Sequence, residues 1–207
     1  MLAGAGIALA QAPLLAWYAA FPCLIWALCR MSRARSAPKA WWAGWLVGAG
    51  YFGTYLNWIV FPFFVDPLIY GWMAPFAFIL MAFGLGLFWA LAALTAFHLP
   101  HRVFGLAAVL GAMELLRGHI FTGFPWAMLG HLWLGSPFEQ AAAFVGASGL
   151  TIATLIAAAV FLVRRVLGAI AGAGVLAAML ITALLHSSGP STPLREMTLR
   201  LVQPAAE

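Results

Sequence analysis

The densest group of ionisable side chains within the long apolar runs of the sequence consists of Glu114, Arg117 and His119. Residues three apart lie on one face of an α-helix, so Glu114 and Arg117 can form an ion pair. Charged groups among apolar residues at membrane depth are costly and indicate a functional site by default. Two interpretations stay open: a buried ion pair that fixes helix packing, or a pair that binds a substrate head group or anchors a nearby loop.

The segment directly after this group, Thr122-Gly-Phe-Pro-Trp126, cannot continue a helix because Gly123 and Pro125 interrupt it. Phe124 and Trp126 are rings of the kind that lie at a membrane surface. The segment is therefore interpreted as a structured re-entrant or surface loop, with a simple interfacial aromatic belt as the alternative.

Other reactive side chains lack the partners that catalysis or metal binding requires. His119, His131 and Glu114 do not have the spacing of a known zinc motif, so no metal is expected. Cys23 and Cys29 lie in an apolar run without a neighbouring acid or base that could activate a thiol. The sequence also contains no glycine-rich phosphate loop after a strand, and we expect no cofactor.

The composition indicates which secondary-structure elements position these residues. Of the 207 residues, 65% are apolar and only 7% are charged, against about 25% charged residues in soluble domains. Several apolar runs, rather than one, account for this bias. The composition excludes an ordinary soluble protein and predicts an all-α polytopic membrane protein with six to seven transmembrane helices.

The later spans are predicted from runs long enough to cross a bilayer core of about 30 Å. The first 29 residues are ambiguous because Pro13 and Pro22 interrupt them, so they form either one kinked span or a short hairpin. One predicted span contains Gly44-x-x-x-Gly48, a spacing that lets two helix backbones approach closely. After the first 29 residues, the predicted spans are 40–61, 71–99, 103–121, 137–163 and 166–185.

The positive charges predict the orientation of these spans. Loops 30–39, 100–102 and 164–165 hold seven of the ten Lys and Arg residues, and cytoplasmic loops carry such an excess. The connections 62–70 and 118–136 and the C-terminal tail are then expected on the outer side.

The tail has the composition of a linker and a strand. Residues 187–196 are rich in Ser and Pro, and residues 197–207 begin with alternating apolar and polar side chains typical of a β-strand. One strand has nothing to pair with. We expect residues 1–186 to form a transmembrane domain, 187–196 a linker, and 197–207 the first strand of an outer α/β domain that the sequence does not include.

The string from Glu114 to Trp126, followed by Leu129-Gly130, Pro137 and Gln140, resembles the membrane-domain signature of the apolipoprotein N-acyltransferases. Three further segments are similar to the same family: 50–58, 146–150 and 199–204. The last of these resembles the first strand of the family's catalytic domain.

The resemblance implies an enzyme of the bacterial inner membrane, with a periplasmic C-terminus and a nitrilase-like α/β domain. Such an enzyme moves an acyl chain from a phospholipid, usually phosphatidylethanolamine, onto a cysteine as a thioester. The acyl group then passes to the N-terminal diacylglyceryl-cysteine of an apolipoprotein, which completes lipoprotein maturation. In the family a Glu is the base, a Lys stabilises the oxyanion and a Cys is the nucleophile.

None of these three catalytic residues has a match in the sequence, so the chain alone is expected to be inactive. Its expected contribution is a membrane anchor and the positioning of lipid substrates. A small transporter or channel and a non-catalytic membrane scaffold are the alternatives. The candidate substrate-binding residues, chosen because they fall on the predicted outer side, are Asn57, Trp58, Glu114, Arg117, Phe124, Pro125 and Trp126.

Overall fold

The computed structural model describes residues 1–11, 14–120, 123–136 and 138–163, with single positions at 168, 170, 173, 174, 177, 181 and 184. Within this part of the chain the regular structure is entirely helical. The α-helices are α1 (Leu2–Ala8), α2 (Trp17–Ser32), α3 (Ala37–Tyr55), α4 (Pro67–Tyr70), α5 (Ala74–Phe97), α6 (Arg102–His119) and α7 (Ala142–Val163). Short 3₁₀ helices cover Leu56–Phe64, Gly71–Met73, Leu129–Trp133 and Glu139–Ala141.

The start of the chain forms two helices rather than one kinked span. The α1 helix has 7 residues, which is about 10 Å of helix and too short to cross a bilayer. The α2 helix has 16 residues and contains Pro22 in its interior. Of the two alternatives for this region, the structure therefore agrees with the short hairpin.

The most extensive helix pairing joins α3 to α5, and small residues make it possible. A Cβ built on Gly48 would lie 2.9 Å from Gly86 Cα, and one built on Gly44 would collide with the Trp89 backbone. The two backbones can approach this closely only because side chains are absent at these positions. The Gly44-x-x-x-Gly48 spacing thus serves helix packing, as predicted.

The remaining helices complete a bundle around a shared core. The α6 helix packs between α5 and α7, α7 also contacts α2, and α1 lies against α3. Large side chains that are fully buried include Trp89, Trp133, Tyr51 and Phe52. Two of the four, Tyr51 and Trp89, stack face to face with ring centroids 5.3 Å apart.

Two helical segments in the described part are long and apolar enough to cross a membrane, Pro67–Phe97 and Glu139–Val163. Only 33% and 39% of their most apolar stretches are buried within the protein. A helix that is apolar on its exposed face as well as its buried face suits a lipid environment. The count of six to seven spans remains a prediction.

The structure corrects two details of the predicted spans. The predicted loop 62–70 is largely helical, since it holds the end of Leu56–Phe64 and all of α4. The predicted span 137–163 is broken at Gly146, which has φ 67° and ψ 177°, a conformation open mainly to glycine. Most of the predicted span 166–185, the linker 187–196 and the strand 197–207 lie outside the described residues.

Candidate functional site

The Glu114–Arg117 ion pair is buried near the C-terminal end of α6. Arg117 Nη2 donates to Glu114 Oε2 at 2.7 Å, and the two side chains are 1% and 0% exposed. The second carboxylate oxygen accepts a hydrogen bond of 2.8 Å from the Trp89 indole N–H of α5. A buried charge is tolerated only when it is paired and hydrogen-bonded, and both carboxylate oxygens here meet that condition.

The same guanidinium holds the segment that follows α6. Arg117 Nη1 donates to the carbonyls of Phe124 at 2.6 Å and Trp126 at 2.7 Å. Arg117 Nη2 donates to the Ala127 carbonyl at 3.2 Å. Three backbone carbonyls within four residues are thus fixed by one side chain, so the pair anchors the loop in addition to joining α6 to α5.

The chain reaches this position through two residues with positive φ. After α6 ends, Ile120 is extended, and Gly123 has φ 78°. Ala127 has φ 57°, which is unfavourable for a residue with a side chain. Such a conformation persists where surrounding contacts determine it, and the Ala127 carbonyl accepts hydrogen bonds from both Arg117 and Tyr51.

Residues from the beginning of the chain extend this network. The Tyr51 hydroxyl donates to the Ala127 carbonyl at 3.0 Å and accepts from Gln11 Nε2 at 2.9 Å. Gln11 is buried and also lies 3.4 Å from the Met128 carbonyl. The Phe52 ring lies under the Arg117 guanidinium at 5.1 Å, within cation–π range. Helices α3, α5 and α6 and the segment after α1 therefore all contribute to holding one loop.

The later part of the connection is attached to α7. The Gly130 N–H donates to Thr151 Oγ1 at 2.8 Å, and the Trp133 indole N–H donates to Thr154 Oγ1 at 2.7 Å. Both threonines are buried. A Cβ on Gly130 would overlap the Ala147 carbonyl, so the loop backbone lies directly against α7. These contacts fix Leu129–Trp133 between α7 and the core.

The exposed part of this loop is a small aromatic surface. Trp126 is 50% exposed and lies 5.5 Å from the half-buried Phe124 ring. Pro125 between them is exposed. Because Arg117 holds the carbonyls on both sides of Pro125, the two rings are presented from a fixed backbone.

The other candidate residues lie in the connection between α3 and α5. Asn57 and Trp58 are exposed in the helix Leu56–Phe64. The Asn57 side chain donates to the Thr54 carbonyl at 2.8 Å, within its own turn. The structure therefore joins Glu114, Arg117, Phe124 and Trp126 into one unit and gives Asn57 a local contact instead. A substrate-binding role for these residues remains a prediction.

Neither of the two histidines near the pair is hydrogen-bonded to it in the contacts that the structure describes. The His119 ring N–H donates to the Leu115 carbonyl at 2.8 Å on the exposed face of α6. His131 lies in the connection to α7, and its burial, followed by the charge of Arg117, lowers its pKa below the usual value. A neutral His131 is therefore favoured in the folded chain.

Sequence reasoning missed the residues that complete the network: Trp89, Tyr51, Gln11, Thr151 and Thr154. Tyr51 falls within segment 50–58, which carries part of the family resemblance. That resemblance was a sequence signal that could have identified Tyr51. Trp89 lies in a long apolar run, where nothing distinguishes it from a packing residue.

The fold and this network define an all-helical domain, within the described residues, with two helices apolar enough to cross a membrane and a loop held by a buried ion pair. The model of the apolipoprotein N-acyltransferase N-terminal domain matches residues 3–160. The chain therefore belongs to the apolipoprotein N-acyltransferase family, as its sequence motifs suggested.

Curated relatives agree with this assignment. The chain is 40% identical over 215 residues to the apolipoprotein N-acyltransferase of Caulobacter vibrioides, covering 98% of the chain and 41% of the relative. The enzyme of the same name from Rhodopseudomonas palustris is 37% identical, over 75% of the chain and 31% of the relative. The one from Rhizobium meliloti is 32% identical, over the whole chain and 43% of the relative. The chain thus spans about two fifths of the length of the relatives that it matches.

Proposed function

We propose that the chain is the membrane half of an apolipoprotein N-acyltransferase. In this proposal, the enzyme transfers an acyl chain from a phospholipid, phosphatidylethanolamine in particular, to the N-terminal diacylglyceryl-cysteine of lipoproteins. The observation that carries the proposal is the family match over residues 3–160. The apolar, lipid-suited helices and the fixed outer loop support it.

The proposed location is the bacterial inner membrane, with several spans and the tail in the periplasm. The short connections that contain Arg33, Arg35 and Arg102 would face the cytoplasm, because basic residues concentrate there. The loop held by Arg117 would then face the periplasm. In this arrangement, residues 1–186 are the membrane domain, 187–196 a linker, and 197–207 the first strand of the catalytic domain.

The chain by itself is proposed to be inactive. Acyl transfer through a thioester needs a thiolate with a base beside it and donors for the oxyanion. The two cysteines of the sequence, Cys23 and Cys29, both lie on α2 and are partly buried. The contribution of the chain is to hold and orient the lipid substrates, which accelerates a reaction only together with the reacting groups.

The proposal is tested with a chimaera. This chain replaces the matching 41% of the Caulobacter vibrioides enzyme, and N-acylation of a diacylglyceryl-cysteine peptide is measured by mass spectrometry in phosphatidylethanolamine vesicles. We expect turnover by the chimaera and none by the 207-residue chain alone. Acylation by the chain alone would contradict the proposed inactivity. A chimaera that inserts into membranes, unfolds cooperatively and yet acylates nothing would contradict the proposed function.

A further inference from the structure

An apolar groove runs between α6 and α7. Its volume is about 450 Å³. The α6 wall consists mainly of alanine and glycine, and the α7 wall consists of Ile152 and Ile156. From Phe104 to Leu115 the groove follows α6 for about 16 Å, which is close to half the thickness of a bilayer core. It therefore has the length of one acyl chain within one leaflet.

The groove is open to the surroundings of the bundle. Phe104, Ile152 and Ile156 are all exposed, and so is Ala108 on the α6 wall. The α7 wall belongs to Glu139–Val163, a segment apolar enough to cross a membrane. Exposed apolar surface on such a segment faces lipid, so a lipid chain can enter the groove from the side.

A second cavity, of about 350 Å³, lies at the end of the groove where α6 begins. Phe104 lines both spaces, so they adjoin. Unlike the groove, the second cavity is lined by polar side chains, those of His101 and Arg102. The two spaces together form an apolar site of leaflet length with a polar mouth.

Arg102 is held at this mouth and keeps donors for a ligand. Its Nη1 donates to the Ala34 carbonyl at 3.1 Å, and its guanidinium carbon lies 4.2 Å from the centre of the Phe97 ring. A guanidinium has five N–H donors. In the part of the chain that the structure describes, Arg102 uses one of them and pairs with no carboxylate. A partly exposed guanidinium in this state is suited to a phosphate group.

The surroundings of the mouth are basic. Arg33 and Arg35 are exposed on either side of Ala34, whose carbonyl accepts the Arg102 hydrogen bond. Seven basic residues and no acidic one lie in the three connections predicted on this side of the membrane: 30–39, 100–102 and 164–165. The amine of a zwitterionic head group has no carboxylate to meet in these connections, whereas basic residues attract an anionic head group. The charges therefore select an anionic lipid.

We propose that this site binds an anionic glycerophospholipid, such as phosphatidylglycerol, with its phosphate at Arg102 and one acyl chain in the groove between α6 and α7. The mouth lies about 22 Å along α6 from Arg117, so it is separate from the loop that Arg117 holds. The bound lipid fills the space between the two helices and stabilises the folded chain. This site does not depend on the proposed acyl transfer.

Photo-crosslinking tests the lipid preference of the groove. The full chain is placed in phosphatidylcholine vesicles that contain a trace of either phosphatidylglycerol or phosphatidylcholine with a diazirine at the end of one acyl chain, and labelled peptides are identified by mass spectrometry. We expect the phosphatidylglycerol probe to label the groove walls at least about fivefold more, the preference that one basic residue at the head group produces. Equal labelling by the two probes would overturn the proposal.

Arg102→Gln tests the mouth, with Arg30→Gln as the matched control. Arg30 is exposed in the last turn of α2, outside the cavity. Arg102→Gln should lower the preference for the phosphatidylglycerol probe about fivefold, whereas Arg30→Gln should retain it. Equal losses in the two variants would show attraction by net charge rather than by a site, and would overturn the proposal.

Ala108→Leu tests the groove without altering Arg102. Ala108 lines the groove, whereas Ala143 is exposed on α7 outside it. Because the larger side chain occupies the space of the acyl chain, Ala108→Leu should lower labelling at least about fivefold, and Ala143→Leu should leave it unchanged. Equal labelling of the two variants would overturn the proposal. No labelling by either probe would overturn it in favour of an occupant from the chain itself, such as residues 166–185.

Discussion

Two connections leave the C-terminal ends of helices that run in the same direction, and they are built differently. The first joins α3 to α5 through residues 56–73, and the second joins α6 to α7 through residues 120–141. The first exposes large apolar side chains, with Val65 87% and Leu68 96% exposed. The second buries Leu129, Leu132 and Trp133.

The hydrogen bonds differ in the same way. The side-chain bond described for the first connection joins Asn57 to Thr54, three residues away. In the second, side chains from α3, α6 and α7 reach the loop, and the Tyr51–Ala127 bond links residues 76 apart. Few buried contacts allow a segment to open locally, whereas many long-range bonds hold it in one conformation. Two connections that the sequence predicts on the same side of the membrane are thus held by different numbers of long-range contacts.

Arg117→Met should remove the difference between the two connections with the largest loss of stability. It leaves Glu114 as an unpaired buried charge and frees three backbone carbonyls. We expect a loss of about 3–5 kcal/mol in the free energy of unfolding, measured by denaturation in mixed micelles. The double variant Glu114→Gln/Arg117→Met removes the buried charge as well and should be less destabilised than Arg117→Met alone. Equal or larger destabilisation of the double variant would show that the unpaired carboxylate is not the main cost.

Tyr51→Phe weakens the network at a second point. It removes the hydroxyl that donates to the Ala127 carbonyl and accepts from Gln11. Because a buried amide loses a partner, we expect a loss of about 1–3 kcal/mol in the free energy of unfolding. Tyr18→Phe is the matched control, since Tyr18 is 69% exposed and its change should stay within about 0.5 kcal/mol. Similar results for the two variants would remove Tyr51 from the network.

The pH dependence of stability should also differ between the two connections, with a smaller effect on the free energy of unfolding. The pKa of His131, in the second connection, is lowered in the folded chain, first by burial and then by Arg117. Below about pH 6.5, the unfolded chain binds a proton that the folded chain resists, so stability falls as the pH decreases. His131→Gln should flatten the unfolding midpoint between pH 7 and pH 5. An unchanged pH profile in this variant would assign the dependence to another group.

Asn57→Ala should have the smallest effect. Its hydrogen bond is exposed and lies within one turn, so the free energy of unfolding should change by no more than about 0.5 kcal/mol. Acylation by the chimaera then reports on substrate binding without a stability effect. A raised KM with unchanged unfolding would support the predicted substrate contact of Asn57, and unchanged kinetics would argue against it.

Much of this contrast could be predicted from local sequence. The long apolar run explains α5, Gly123 and Pro125 explain the end of α6, and the three-residue spacing of Glu114 and Arg117 explains their ion pair. The partners of that pair could not be predicted. Trp89 bonds to Glu114 from 25 residues away, and only the folded bundle brings them together. The helical character of α4 and the break at Gly146 were missed because hydrophobic periodicity reports neither a helix of 4 residues nor a single glycine with positive φ.

Amide hydrogen exchange of the full chain in phospholipid nanodiscs tests the central claim that the Glu114–Arg117 pair fixes the second connection. Exchange at residues 123–136 should be slower than at residues 56–73, and Arg117→Met should raise the rate in 123–136 towards that of 56–73. The rate in 56–73 should stay the same in both proteins. Equal exchange of the two connections in the unchanged chain, or persistent protection of 123–136 in Arg117→Met, would contradict the account.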